Sequence, residues 1–182
     1  MAVKITYFVH GTTVDNEAHV SSGWKDAELS ALGVKQSEEL VEQTREQKFD
    51  AIFCSDLKRA VDSAHITWGD SGVPIISDAR LRECNYGQLN GHPSVEVEPM
   101  QEKSITTPMP SGESYEDVRV RVASFLADLK RDYDGKHIAI VAHKAPQLAL
   151  DVLLKGQSWD EAFASDWRKR GAWQAGWEYE VK

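Results

Sequence analysis

Two short apolar runs, each closed by a histidine, restrict what this chain can become more than any other feature in it. Residues 5–9 read ITYFV and stop at His10-Gly11-Thr12-Thr13; residues 137–142 read HIAIVA and stop at His143. Runs this short, rich in β-branched and aromatic side chains and without polar alternation, predict strands buried on both faces. Such strands lie parallel in α/β sheets, whose ligands bind beyond the carboxyl ends of the strands. Gly11 permits a sharp backbone path there, so that hydroxyls and amides can face a ligand. Either histidine alone reads as a structural residue at a strand end. Two of them delivered to one sheet edge read as facing imidazoles.

The remaining segments supply the alternation that such a sheet requires. Residues 10–29 are loop-like, anchored by Val20 and Trp24, and Ser30 caps a helix expected to run to about Gln47 with Val34, Leu40 and Val41 inward. A second strand spans 49–54, and Ser55 or Asp56 is the expected cap of a helix carrying Leu57, Ala60, Val61 and Ala64 at helical spacing. Residues 74–76 make a third strand. Four prolines (Pro93, Pro99, Pro108, Pro110) make 90–110 irregular, with one short helix. Ser114 and Asp117 form a capping box for a long helix striped by Val118, Val122, Phe125, Leu126 and Leu129. After His143, Ala145 and Pro146 open another helix, and Trp159, Trp167, Trp173 and Trp177 belong to a last helix and an edge strand. Strand–helix alternation predicts a three-layer α/β/α fold with a mostly parallel central sheet. It is expected as one domain over 1–182, with a short cap region around 90–110.

Composition narrows the function classes. A net charge of -8 over 182 residues disfavours nucleic acid or an anionic membrane as the main partner, while leaving room for a local cation cluster around a small anion. The N-terminus has no basic and apolar leader pattern, and no apolar run approaches membrane-spanning length. Cys54 and Cys84 lack metal-site or redox spacing, so reduced thiols in a cytoplasmic protein are expected. His19, His65, His92 and His137 show no mutual ligand spacing, and neither a metal site nor a cofactor is expected.

Five motifs in order then resemble the histidine phosphatase superfamily, the phosphoglycerate mutase-like proteins. They are His10-Gly11; SDLKRAVDSA at 55–64; LRECNYGQLNG at 81–91; PSGES at 110–114; and His143. Gly23-Trp24, Asp26, Leu29-Ser30 and Gly33 also look like that family's segment after the first loop. The resemblance implies that His10 is a nucleophile forming a phosphohistidine, with its other ring nitrogen held by a backbone carbonyl. It implies Arg59 as a phosphate fork beside helix N-terminal amides, where the alternative is a solvated helix arginine. Asn16, Gly11 and Thr12 would add neutral contacts. His143 would stabilise the transferred phosphoryl group, and Glu83 would be the acid for the leaving group and later the base for water. An ion pair with a neighbouring arginine is the plain alternative for Glu83.

Two positions depart from the family pattern. Val9 stands where the family has arginine before the nucleophile, and Lys144 stands where it has glycine after the second histidine. Loss of a phosphate-site cation costs on the order of 10²-fold in rate unless it is replaced. Lys144 is therefore expected either to supply that charge or to be an exposed loop lysine. The implied activity is a metal-independent phosphatase acting on a small phosphorylated metabolite. A phosphoglycerate-type mutase and a phospho-ligand binder without turnover are the alternatives.

Overall fold

The protein was analysed as a computed structural model, which describes residues 1–170 and 176–182. The elements in chain order are β1 (Val3–Val9), α1 (Val14–Glu17), β2 (Val20–Ser21), α2 (Ala31–Gln43), β3 (Ala51–Cys54), α3 (Lys58–Trp68) and β4 (Ile75–Ser77). There follow β5 (His92–Pro93), α4 (Ser94–Gln101), α5 (Tyr115–Asp132), β6 (His137–Ala142), α6 (Lys144–Lys155), α7 (Trp159–Ala164) and β7 (Trp177–Val181). Short 3-10 turns occupy Ala79–Leu81, Gly87–Leu89, Glu102–Ser104 and Trp167–Arg170.

The central sheet has the order β4-β3-β6-β1-β7, in which β4, β3, β6 and β1 are parallel and β7 runs antiparallel at the edge. The register pairs Val9 with Ala142, so His10 and His143 leave the sheet side by side. Alternation along β1 divides the interior. Phe8 packs with Ile52, Ala139 and Val141 against Leu40 of α2 and Ala64 and Trp68 of α3. Ile5, Tyr7 and Val9 face the other way, with Phe53 and Ile140, onto α5 and α6. Helices thus cover both faces of a mostly parallel sheet, the expected α/β/α architecture. Every residue of the long-helix stripe is buried, and Ser114 and Asp117 make the reciprocal cap. Along β7 the buried Tyr179 and Val181 alternate with exposed Glu178 and Glu180, as an edge strand should.

Some expectations are corrected. Helix α2 ends at Gln43, because Thr44 turns its hydroxyl back onto the Leu40 carbonyl at 2.8 Å. Its buried residues are Gly33, Ser37 and Leu40, whereas Val41 stays exposed. Residues 10–29 contain α1 and β2, and β2 pairs with β5 to tie that segment to α4. Helix α3 begins one or two residues later than expected, with Leu57 as a cap residue lacking a side-chain bond. Trp173 lies outside the described residues. Among the described residues, no helix is long and apolar enough to cross a membrane.

Candidate active site

His10 follows directly from β1, its amide still bonded to the Ala142 carbonyl at 3.0 Å. Its Nδ1 lies 2.7 Å from the carbonyl of Gly11. A carbonyl only accepts, so Nδ1 carries the proton and Nε2 keeps its lone pair. Burial first, and then the Arg59 charge, push the imidazole from its ordinary 6.5 down to about 3, which leaves it neutral near pH 7. The turn after it is locked. The Gly11 amide donates to Ser63 Oγ at 2.9 Å, and the Thr12 amide donates to Gln36 Oε1 at 2.8 Å. Gly11 and Gly33 pass so closely that a Cβ on Gly11 would sit 2.4 Å from the Gly33 oxygen, and one on Gly33 2.0 Å from the Thr12 oxygen. Gly11 therefore contributes space, its amide being already committed to Ser63.

Arg59 occupies the first turn of α3 and is 3% exposed, which removes the solvated alternative. Its two terminal nitrogens donate to the carbonyls of Gly23 at 2.7 Å and Lys25 at 3.0 Å. The same loop returns Asp26 Oδ1 to the Lys58 amide at 3.0 Å, capping α3 from outside the helix. Neither expected local cap does this: Ser55 Oγ accepts from Leu57, and Asp56 is turned to Arg82. Burial lowers the Arg59 pKa, with Glu83 opposing, but a guanidinium remains charged at physiological pH.

His143 is 0% exposed and caps α6 with extended backbone. The Tyr7 hydroxyl clamps it, donating to its carbonyl at 2.6 Å and accepting from its amide at 2.9 Å. Both ring nitrogens are buried without a partner among the described residues. Its ring centroid lies 5.1 Å from that of His10. Burial, Arg59 and then His10 hold its pKa well below the ordinary value. Orphaned nitrogens in a dry site are costly unless something comes to meet them.

Glu83 sits across the pocket, its Oε1 accepting from the amides of Cys84 at 2.8 Å and Ala145 at 3.1 Å. It makes no pair with Arg82, which forks onto Asp56 at 2.6 and 2.7 Å and covers the Trp24 ring. The Glu83 backbone is fixed too: its carbonyl accepts from Trp24 Nε1 at 2.7 Å and from Arg121 at 2.9 Å. Arg121 also grips the carboxylate of Glu113, the acidic residue of PSGES, whose Oε2 receives the Asn85 amide. A Cβ on Gly87 would meet the Pro110 oxygen at 2.1 Å, so the two motif loops interlock through glycine.

His10 and Glu83 open into a pocket of about 740 Å³, while Arg59 and His143 lie buried behind its lining. Val9, His10, Thr12, Asn16, Glu83 and Lys144 all reach it. Asn16 spends its Oδ1 on the Thr13 amide, leaving the amide NH₂ as its donor. Lys144 is neither an exposed lysine nor an unengaged cation. It is 7% exposed, and Nζ lies 2.7 Å from Asp166 Oδ2 and 2.9 Å from Gln101 Oε1. The outer wall comes from Ser94, Val95 and Glu98 of α4 and from Trp167 and Arg168. Sequence reasoning singled out none of Tyr7, Gln36, Arg121 or Asp166. Tyr7 sits in an apolar strand and Arg121 on a charged helix face, where neither spacing nor composition marks them. Among the described residues, no group of three His, Cys, Asp or Glu side chains could hold a metal ion.

Comparison with known proteins shows the family and the fold. The profile of the histidine phosphatase superfamily (branch 1) matches residues 7–175. A 2,3-bisphosphoglycerate-dependent phosphoglycerate mutase of Cytophaga hutchinsonii is 34% identical over 149 residues, covering 74% of this chain and 68% of that protein. The structure of a mycobacterial glucosyl-3-phosphoglycerate phosphatase in complex with VO3 superposes with a TM-score of 0.80 at 26% identity, over 88% of this chain and 86% of that one. Bacillus stearothermophilus YhfR gives a TM-score of 0.80 at 25% identity, over 89% and 84%.

Proposed function

The chain belongs to the histidine phosphatase superfamily, and from that premise we propose that it hydrolyses a small phosphomonoester through a phosphohistidine at His10, without a metal. The observation that carries this reading is the locked tautomer of His10, with Nδ1 bonded to the Gly11 carbonyl and Nε2 neutral in the pocket. Nε2 attacks phosphorus in line with the ester oxygen. The P–O bond breaks, and protonated Glu83 gives its proton to the departing oxygen. Arg59 neutralises charge on the equatorial oxygens, and the unpartnered neutral ring of His143 donates a hydrogen bond to one of them. In the second half Glu83, now a carboxylate, takes a proton from water. The water oxygen bonds to phosphorus, the P–N bond breaks and inorganic phosphate leaves.

The bound oxygen Oε1 of Glu83 is held by two amides, so Oε2 is the one available for both transfers. Similarity to a mutase favours a second reading, in which an alcohol rather than water accepts the phosphoryl group. A phospho-ligand binder without turnover is the third, and Val9 is the residue in its favour.

One experiment separates all three. Phosphate release from p-nitrophenyl phosphate is measured in EDTA for wild type and His10→Ala, with mass spectrometry of acid-labile phosphate on the quenched enzyme. We expect chelator-resistant release, a trapped phosphohistidine, and a loss of at least about 10³-fold in the variant. Phosphorylation of His10 with phosphate passing only to an added alcohol supports the mutase. Vanadate binding with neither product supports the binder.

A further inference from the structure

Resting on that reading, we infer that Tyr7 is a positioning residue for the reaction, whose hydroxyl fixes where His143 stands against the transferred phosphoryl group. Tyr7 lies in β1 among Ile5, Phe8 and Val9 and is fully buried. A phenol oxygen in such a strand needs partners, and both of those it finds belong to one residue. It donates to the His143 carbonyl at 2.6 Å and accepts from the His143 amide at 2.9 Å.

One oxygen can hold both groups because of the backbone conformation. An extended residue points its own N–H and C=O to the same side, whereas a helical residue separates them. His143 has φ -134° and ψ 178°, so the phenol selects the extended state at this Cα. The sheet no longer does so there. Val9 and Ala142 are the last pair between β1 and β6, and the Ala142 carbonyl goes to the His10 amide at 3.0 Å. One residue later Lys144 begins α6, whose first bond, from the Gln147 amide to the His143 carbonyl, is a long 3.3 Å. His143 is thus the joint between strand and helix. The direction of its Cα–Cβ bond follows from two torsions that Tyr7 holds.

The imidazole has no anchor of its own. Neither ring nitrogen has a partner among the described residues, so no side-chain hydrogen bond corrects a shifted backbone. Tyr7 is held where His143 is not. Its backbone is paired on both sides, to Ile140 and Trp177, and its ring meets that of Trp177 edge-on with centroids 6.2 Å apart. Burial pushes the phenol pKa well above its ordinary value, so the hydroxyl keeps the proton that it donates. Strand β1 therefore places both imidazoles, whose centroids are 5.1 Å apart: His10 through the chain and His143 through Tyr7.

Tyr7→Phe removes one oxygen and keeps the ring, and Tyr179→Phe is its control. The Tyr179 hydroxyl is likewise buried, accepting from Gln147 and donating to Asp151 at 2.9 Å each, but it bonds side chains of α6 rather than the His143 peptide. Hydrolysis of p-nitrophenyl phosphate, vanadate affinity and Tm are measured for both variants, each in the wild-type and the His143→Gln background. Tyr7→Phe is expected to lower kcat and vanadate affinity by about tenfold with KM unchanged. It should have no further effect on either once position 143 is Gln, because it acts only through that imidazole. Tyr179→Phe should lower Tm comparably and leave kcat and vanadate affinity as they were. The inference is overturned if Tyr7→Phe lowers Tm but not kcat, or if its effects add in full to those of His143→Gln. An equal fall in kcat for Tyr179→Phe overturns it too, since any loosening of α6 would then suffice. If wild type releases no phosphate, the phosphatase reading fails and the vanadate affinities alone decide the placement of His143. Wild type that also fails to bind vanadate overturns both.

Discussion

The floor of the pocket and its outer wall are built by different physics. At and behind the floor, the side chains of His10, Arg59 and Glu83 are each tied to backbone, to the Gly11 carbonyl, the Gly23 and Lys25 carbonyls, and the Cys84 and Ala145 amides, while the Tyr7 hydroxyl clamps the His143 peptide. Backbone partners do not rotate away, and three of the four side chains have less than a tenth of their surface exposed. On the wall, side chains meet side chains. Arg168 shares acidic partners at long range, and Val95 stands 79% exposed at the pocket with nothing on it. The difference teaches that chemistry is fixed by groups the fold over-determines. The wall is left to groups that can be changed without disturbing the frame.

The comparison breaks first at Arg59. Arg59→Lys keeps the charge but loses the fork that holds two carbonyls, so kcat/KM should fall by about 10²-fold or more. The loop at 23–26 should loosen as well, read as a lower urea midpoint. Wild-type values on both counts would show that the floor is less constrained than its hydrogen bonds indicate.

A smaller effect concerns pH. The folded protein holds His10 near 3, below its ordinary 6.5, so between those values the unfolded chain takes up a proton that the native state refuses. The resulting stability is complete above 6.5 and is lost as pH falls towards 3. His143 adds to this in the same direction. Urea midpoints measured across that window should fall with acid, and less steeply for His10→Gln. Equal slopes would mean that the native imidazole titrates normally.

The smallest effect belongs to the wall. Val95→Ser should leave Tm unchanged within the scatter expected of exposed sites and alter KM by about twofold to threefold. A change in kcat of the size seen at Arg59 would remove the distinction between floor and wall.

Much of the floor was legible in the sequence. Strands that are apolar throughout announce a sheet covered on both faces, and a histidine after two of them announces where they end. Helix α5 was readable from Ser114, Asp117 and its stripe, because cap and periodicity are local. Helix α3 was not readable at its start. Its first turn is served by Asp26, which lies 32 residues away, while Asp56, the neighbour that composition favours, goes to Arg82. Lys144 shows the same limit. The sequence marks it as a cation beside His143, but whether it faces the ligand depends on Asp166, more than twenty residues later.

What the sequence determined by itself is therefore what arises from near neighbours: strand and helix identity, the α/β alternation, the order of the motifs, and the two histidines at strand ends. The tertiary structure decided the electrical state of the site. Only the packed molecule sets which buried carboxylate neutralises Lys144, which carbonyl fixes the His10 tautomer, and how far burial drives that imidazole from 6.5 to about 3. Desolvation and Coulomb interactions depend on distances through space, and those distances join residues that the chain itself keeps far apart.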